Sequence, residues 1–351
     1  MNKRWLNAVK VIAFLAAGSL LLYLIYKNQS VAYQADCILR GIPVGECDLL
    51  DKLIEDFKRA NIGWLAVIVI AFMLSNISRA LRWNQLLRPL GYSPKLYNSF
   101  FTIMFGYFAN LGIPRIGEIA RAGLQSRYEQ IPMQKVLGTV VTDRLADILC
   151  LAIIIFLAFS LEFDRLYNFV ADNAQSPVSL AAIIGHPGFW IVLICLAGAI
   201  YIFRNTLRRI WYGGVKTRVK NFAVGFAEGI ATIRRLENTW LFVFHSVFIW
   251  TMYFLMTYLC FKAFPPTGHL GLQAGLVVFT LGSLGMVIPM PGGMGSYHYL
   301  VIKGLAFYQI AEVDGFSFAM IIFFTIQLFC NIAFGILALI MLPILNGRIR
   351  S

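Results

Sequence analysis

Two hydrophobic stretches of this chain are interrupted in the middle by proline and glycine. One reads GYFANLGIPRIGEIARAGL (106–124) and the other LGSLGMVIPMPGGMGSYHYLVIKG (281–304). Each carries polar or ionisable residues beside its break. In hydrocarbon a broken helix leaves backbone N–H and C=O groups unpaired, so a break is tolerated only inside protein or against a wet cavity. Paired breaks in the two halves of a membrane protein point to a site between those halves.

The rest of the chain supports a membrane reading. Of 351 residues, 59% are hydrophobic and 13% charged, and the mean hydropathy is +0.72. A soluble domain carries about twice that share of charge. Several runs approach or exceed the roughly 20 apolar residues that cross a bilayer. The expected fold class is all-α and polytopic, with residues 1–350 as a single membrane domain and no sizeable soluble domain left over.

Six full spans are expected at about 5–26, 62–83, 136–160, 189–204, 240–263 and 315–343. The first resembles a signal peptide, but its apolar run is too long and no small-residue cleavage site follows, so it reads as a retained span. The broken stretches, 96–128 and 272–311, read as re-entrant hairpins of two half-helices. A rival count treats each hairpin as two full spans, giving eight or more crossings.

The net charge of +13 is spread over the ends of apolar runs, which is a topology signal rather than a nucleic-acid stripe. Lys3, Arg4, Lys10, Arg82, Arg88, Lys95, the basic segment 205–238, Arg348 and Arg350 fall on one side. By the positive-inside rule both termini are then cytoplasmic. The segments 27–61 and 161–188 carry most of the acids and fall outside. The first half (1–160) holds the cytoplasmic-side hairpin and 240–345 the outer-side hairpin, with 161–204 and 205–238 between them. That order, with opposite orientation, is the pattern of an inverted repeat. Val219, Phe222, Phe226, Ile230 and Ile233 recur at helical spacing within 205–238. They predict an amphipathic helix, either at the inner head-group layer or packed on the other helices.

Of six cysteines, Cys150, Cys195, Cys260 and Cys330 lie in apolar runs. Cys37 and Cys47 share a polar loop, where a disulfide is expected if the loop faces an oxidising compartment. Neither a zinc spacing nor a redox CxxC occurs, and no metal or cofactor is expected. No nucleophile, base and oxyanion set converges, so a transporter is expected before an enzyme.

The candidate site residues cluster at the breaks and in two spans. Asn110 and Pro114 mark the first break, and Arg115, Glu118 and Arg121 follow at intervals of three. On a helix these three share a face, and two cations around one anion suit phosphate. The plainer reading is a solvated arm with mutual ion pairs. Asp143, Arg144 and Asp147 begin the third span, either as an ion-pair staple or as a functional group inside the membrane. Asn76, Arg79 and Arg82 form a polar stripe in the second span. Snorkelling to the interface is the commoner role for Arg82, while Arg79 lies deeper. The second break holds Pro289, Pro291, Gly292, Gly293 and Gly295, whose successive N–H groups ahead of a half-helix would bind an anion. His298 lies just beyond, more often a hydrogen-bonded structural residue than a titrating one.

These features together resemble the transmembrane region of the lysylphosphatidylglycerol synthase, or flippase-like, family over roughly 60–345. The resemblance rests on Arg79, Arg82 and Trp83 as RxxRW, on GYFANLGIPRIGEIARA, on the TDRLAD string and on the PMPGGMG turn. It implies a lipid-handling domain, which in bifunctional relatives moves aminoacylated phosphatidylglycerol between leaflets. The sequence departs from the family pattern in having no C-terminal aminoacyl-transfer domain, and in Asp143 and His298 where glutamate is common. The expected function is movement of a phospholipid or polyprenyl-phosphate-type lipid between leaflets of the cell membrane. Arg115, Arg121 and Arg79 would hold the phosphate, and Glu118, Asp143 and Asp147 would pair those arginines or meet a cationic head group. The alternatives are a membrane enzyme acting in head-group or glycosyl transfer, or an accessory subunit for a separate lipid-modifying enzyme. Membrane lipids are the expected partners, and nucleic acid is not.

Overall fold

The protein is described from a computed structural model, at residues 3–39, 42–43, 47–113, 115–162, 224, 226–229 and 231–347. Among the described residues every regular element is helical. In chain order they are α1 (Lys3–Leu39), α2 (Leu49–Arg59), α3 (Ile62–Leu87), α4 (Leu96–Gly112), α5 (Ile116–Glu129) and α6 (Met133–Leu161). There follow α7 (Thr239–Ala263), α8 (Leu272–Val287), α9 (Ser296–Ala306), α10 (Glu312–Phe323) and α11 (Asn331–Asn346). A π-helical segment, Phe324–Cys330, joins α10 to α11, so that Glu312–Asn346 forms one 35-residue rod.

Four of these helices are long and apolar enough to cross a membrane: Ile62–Leu90, Met133–Leu161, Thr239–Ala263 and Glu312–Asn346. They coincide with four of the expected spans. The expected span at 189–204 lies outside the described residues, as do 163–188 and most of 205–238. The described part of 205–238 is helical at 224, 226–229 and 231, ending in the short turn Thr232–Arg235. The chain before α3 differs from expectation. α1 runs on to Leu39, and the segment expected as a loop at 27–61 contains α2. Asp48 starts α2 by accepting the Leu50 N–H at 2.7 Å, and Leu49 and Leu53 bury themselves against Ile302 and Phe316. A Cys37–Cys47 disulfide ties the end of α1 to the residue before the Asp48 cap of α2.

Local chemistry sets where the spans begin. Asn61 caps α3 by accepting the Gly63 and Trp64 N–H groups, and Asn238 caps α7 by accepting that of Leu241. Such caps satisfy donors that the first helical turn leaves free. The 26 residues of α3 reach about 39 Å, more than the roughly 30 Å of hydrocarbon. The 17 residues of α4 reach about 26 Å and the 11 of α9 about 17 Å, too short to cross.

The short helices pair as two hairpins whose arms touch at glycine. A Cβ on Gly117 would sit 2.1 Å from the Gly106 carbonyl oxygen, and the Asn110 side chain accepts the Gly117 N–H at 2.7 Å. In the second hairpin a Cβ on Gly285 would sit 2.7 Å from the Tyr297 Cα, and Ser296 donates to the Gly285 carbonyl at 2.8 Å.

The rod shows how the hairpins are arranged. At its last residue, Asn346 bonds Asn98 near the start of α4 at 2.9 Å. At its first residue, Glu312 pairs with Lys303 near the end of α9. The hairpins therefore open toward opposite ends of the rod. Their tips meet near its middle, where the Gln327 amide reaches the Met286 sulfur at 3.8 Å. There Arg115 donates to the Val287 carbonyl at 3.0 Å, and a Cβ on Gly292 would touch Leu111 at 3.2 Å.

Candidate functional site

The first hairpin delivers α5 to α3 and α6, and the charged side chains of the three helices converge. Spacing of three places Arg79 and Arg82 on one face of α3, and spacing of four places Asp143 and Asp147 on one face of α6. Arg82 reaches Asp143 Oδ1 through both Nε (3.0 Å) and Nη2 (2.6 Å). Its Nη2 also lies 2.7 Å from Asp147 Oδ1, and its Nη1 donates to Ser246 of α7 at 3.1 Å. Arg79 bonds Asp147 Oδ2 at 2.8 Å and Asp143 Oδ2 at 3.3 Å. Arg121 bonds Asp143 Oδ2 at 3.1 Å. At the rim, Arg144 pairs with Glu118 at 2.9 Å and touches Asp147 at 3.5 Å.

Four guanidinium groups thus face three carboxylates, leaving one positive charge in excess. Asp143 is saturated, each oxygen accepting two hydrogen bonds. The Nε groups of Arg79, Arg121 and Arg144 and the Oε2 of Glu118 are buried without a hydrogen-bond partner. Taking such charges out of water costs several kcal/mol each, and multiple well-aligned partners are what offset it.

The sequence-derived residues fall into three groups. Arg79, Arg82, Arg121, Asp143 and Asp147 form the sealed centre, and Arg144 with Glu118 its open edge. Arg82 does not snorkel: it is fully buried, because a pair of acids awaits it on α6. Arg115 stands apart, exposed, at φ 63° in the left-handed region, with its guanidinium on the end of α8. Asn110 braces the hairpin through Gly117, and Pro114 lies outside the described residues.

The second break is built differently. Gly292, Gly293 and Gly295 all have positive φ, between 56° and 83°, a region that favours glycine. Three of the expected donors are already engaged. The N–H groups of Gly293, Met294 and Gly295 are bonded to the Met290 carbonyl, the Pro291 carbonyl and His298 Nδ1. Pro289 is exposed and Pro291 buried. His298 is fully buried, its ring 4.6 Å from that of Phe323, and its Nε2 has no partner. This break holds no carboxylate, lysine or arginine side chain of its own.

Three contributors were not among the candidate site residues. Trp83 stacks under Arg121, with 4.9 Å from guanidinium carbon to ring centroid, and donates to Thr139 at 3.0 Å. Tyr253 accepts from Arg79 at 3.2 Å and lies 3.4 Å from the Tyr107 hydroxyl. Ser246 completes Arg82. Trp83 was within reach through the RxxRW string, but nothing in the apolar run of α7 marked Ser246 or Tyr253. Among the described residues no three His, Cys, Asp or Glu side chains are placed to hold a metal ion.

The profile of the lysylphosphatidylglycerol synthase TM region family matches residues 49–335, which include the whole charged cluster and both breaks. The chain belongs to this family. Two relatives of the family member are UPF0104 membrane proteins. That of Methanocaldococcus jannaschii, MJ1595, is 32% identical over 101 residues, covering 28% of this chain and 30% of the relative. That of Pyrococcus horikoshii, PH1989, is 23% identical over 268 residues, covering 70% of this chain and 77% of the relative. The chain therefore matches less than a third of the first relative's length and about three quarters of the second's. No solved structure shows significant similarity to it.

Proposed function

We propose that this protein binds a phosphate-bearing lipid between its two hairpins and moves it from one leaflet to the other. The observation that carries the reading is the ion-paired cluster with one excess cation, set beside two half-crossing hairpins whose tips meet midway along the rod. Charges inside a membrane domain mark a pathway or a site by default. Interrupted helices at mid-depth are where transporters hold their cargo. The family's name ties relatives of this chain to a phospholipid, in line with that cargo class.

In this reading the sealed pairs hold α3, α5 and α6 together while the open edge meets the lipid phosphate. Rocking of one half against the other switches access between leaflets. The orientation that fits has both termini in the cytoplasm of a cell membrane. The Cys37–Cys47 disulfide supports it. Lys52, five residues after Cys47, pairs with Asp314 at 2.8 Å, so the disulfide lies toward the Glu312 end of the rod. A separate lipid-modifying enzyme would supply or use the cargo.

Reconstitution into vesicles with head-group-labelled lipids tests the reading. Labelled lipid of unchanged mass should exchange between leaflets, and Arg144→Gln should abolish the exchange. A lipid product of altered mass would favour an enzyme, and exchange indifferent to Arg144→Gln would remove the cluster from the path.

A further inference from the structure

The seven charged residues of the cluster are not equally free to change partner. The side chains of Arg79, Arg82 and Arg121 are 2%, 0% and 3% exposed, and their shared acid Asp143 has no lone pair to spare. Arg144 is 35% exposed and Glu118 26%. Each keeps one hydrogen-bonding atom, Arg144 Nε and Glu118 Oε2, without a partner. Of the cluster's ion pairs theirs is the one with both side chains more than a quarter exposed, and so the one an incoming group can reach and replace. Glu118 lies in the first turn of α5, and three residues earlier Arg115 makes the other open contact of that hairpin tip, to the Val287 carbonyl.

We propose that Glu118 is a resident stand-in for the cargo's phosphate. In the unloaded protein its carboxylate occupies the Arg144 guanidinium. A monoanionic phosphodiester replaces it there, taking two of the fork's parallel donors as carboxylates and phosphates both do. The exchange keeps the charge balance, because a monoanion takes the place of one carboxylate and four arginines face three anions before and after it. The exchange also has a mechanical side. Glu118 rides on α5 and Arg144 on α6, so its displacement frees the tip of the first hairpin while Arg121–Asp143 keeps the arm docked. This inference rests on the lipid-translocation reading and assigns the residue that competes with the cargo inside it.

The test is binding of short-chain phosphatidylglycerol to the purified full chain, with glycerophosphoglycerol as the soluble counterpart. Glu118→Gln should bind the lipid about fivefold more tightly, the worth of a half-open ion pair. Arg144→Gln should bind about tenfold more weakly, as expected for a lost charge-assisted bond. The double variant should match Arg144→Gln alone, because the competitor has nothing left to occupy. A purely structural Glu118 would make Glu118→Gln bind no tighter, and that result overturns the stand-in role. Glu118→Ala provides a second variant should the amide form new bonds. A wild-type protein that binds glycerophosphoglycerol as well as the lipid assigns the site to a free anion, overturning the translocation reading while keeping the stand-in. A wild-type protein that binds neither overturns both.

Discussion

The two hairpins solve the same problem with different chemistry. Each folds two half-helices against one another at a glycine, and each carries its break to the middle of the rod. The first is then fixed by charge. Arg121 and Glu118 tie α5 to α6, and Asn110 ties the break to α5 itself. The second is fixed by shape. Glycines at positive φ turn the chain, the N–H groups of Gly293, Met294 and Gly295 are bonded within the break, and aromatic rings flank His298. An ion pair can trade one partner for another, whereas a packed glycine contact can only open or close. Under the proposed function, recognition would fall to the first hairpin and support to the second.

Substitutions can break this contrast. The largest effect should come from Asp143→Ala, which leaves three buried arginines without their common acid. A loss of about 3–5 kcal/mol is expected, seen as failure to purify a monodisperse protein or a large drop in Tm. Gly117→Val and Gly285→Val come next, at about 1–3 kcal/mol each from forced overpacking. Similar Tm losses for both would show that the glycine contacts are equivalent, and a silent Gly285→Val would show that the second hairpin is loosely held. Arg144→Gln should cost less than about 1 kcal/mol of stability, since the Arg144–Glu118 edge is partly open, yet remove transport. His298→Leu should have the smallest effect on transport, which is retained, at a stability cost of roughly the 0.5–1.5 kcal/mol of one hydrogen bond. Loss of transport in His298→Leu with Tm intact would give the second hairpin a chemical role and end the contrast.

Much of the frame was readable from the chain itself. The four long spans announce themselves as apolar runs with asparagine caps on two of them, and both breaks stand out as proline and glycine inside such runs. α2 was readable in principle from Asp48 and the LLxxLIxxF spacing, but charge density around it argued for a loop. The pairings were not readable. Arg82 and Asp143 lie 61 residues apart, and no local rule tells whether an arginine near a span's end reaches outward to water or inward to an acid. Tyr253 and Ser246 are ordinary members of a helix until α7 is laid against α3. The π-helical segment at Phe324–Cys330 is likewise a product of packing. Its polar side chain Gln327 is visible in the sequence, but the extra residue in the helical turn is not.

Everything here depends on the hairpin tips meeting midway, and cysteine cross-linking measures that directly. With Cys150, Cys195, Cys260 and Cys330 replaced, Leu111→Cys and Gly292→Cys should join through a short bismaleimide in membranes, because a side chain at 292 would touch Leu111. If the pair does not join, while Asn98→Cys and Asn346→Cys do, the tips are apart and the account is contradicted.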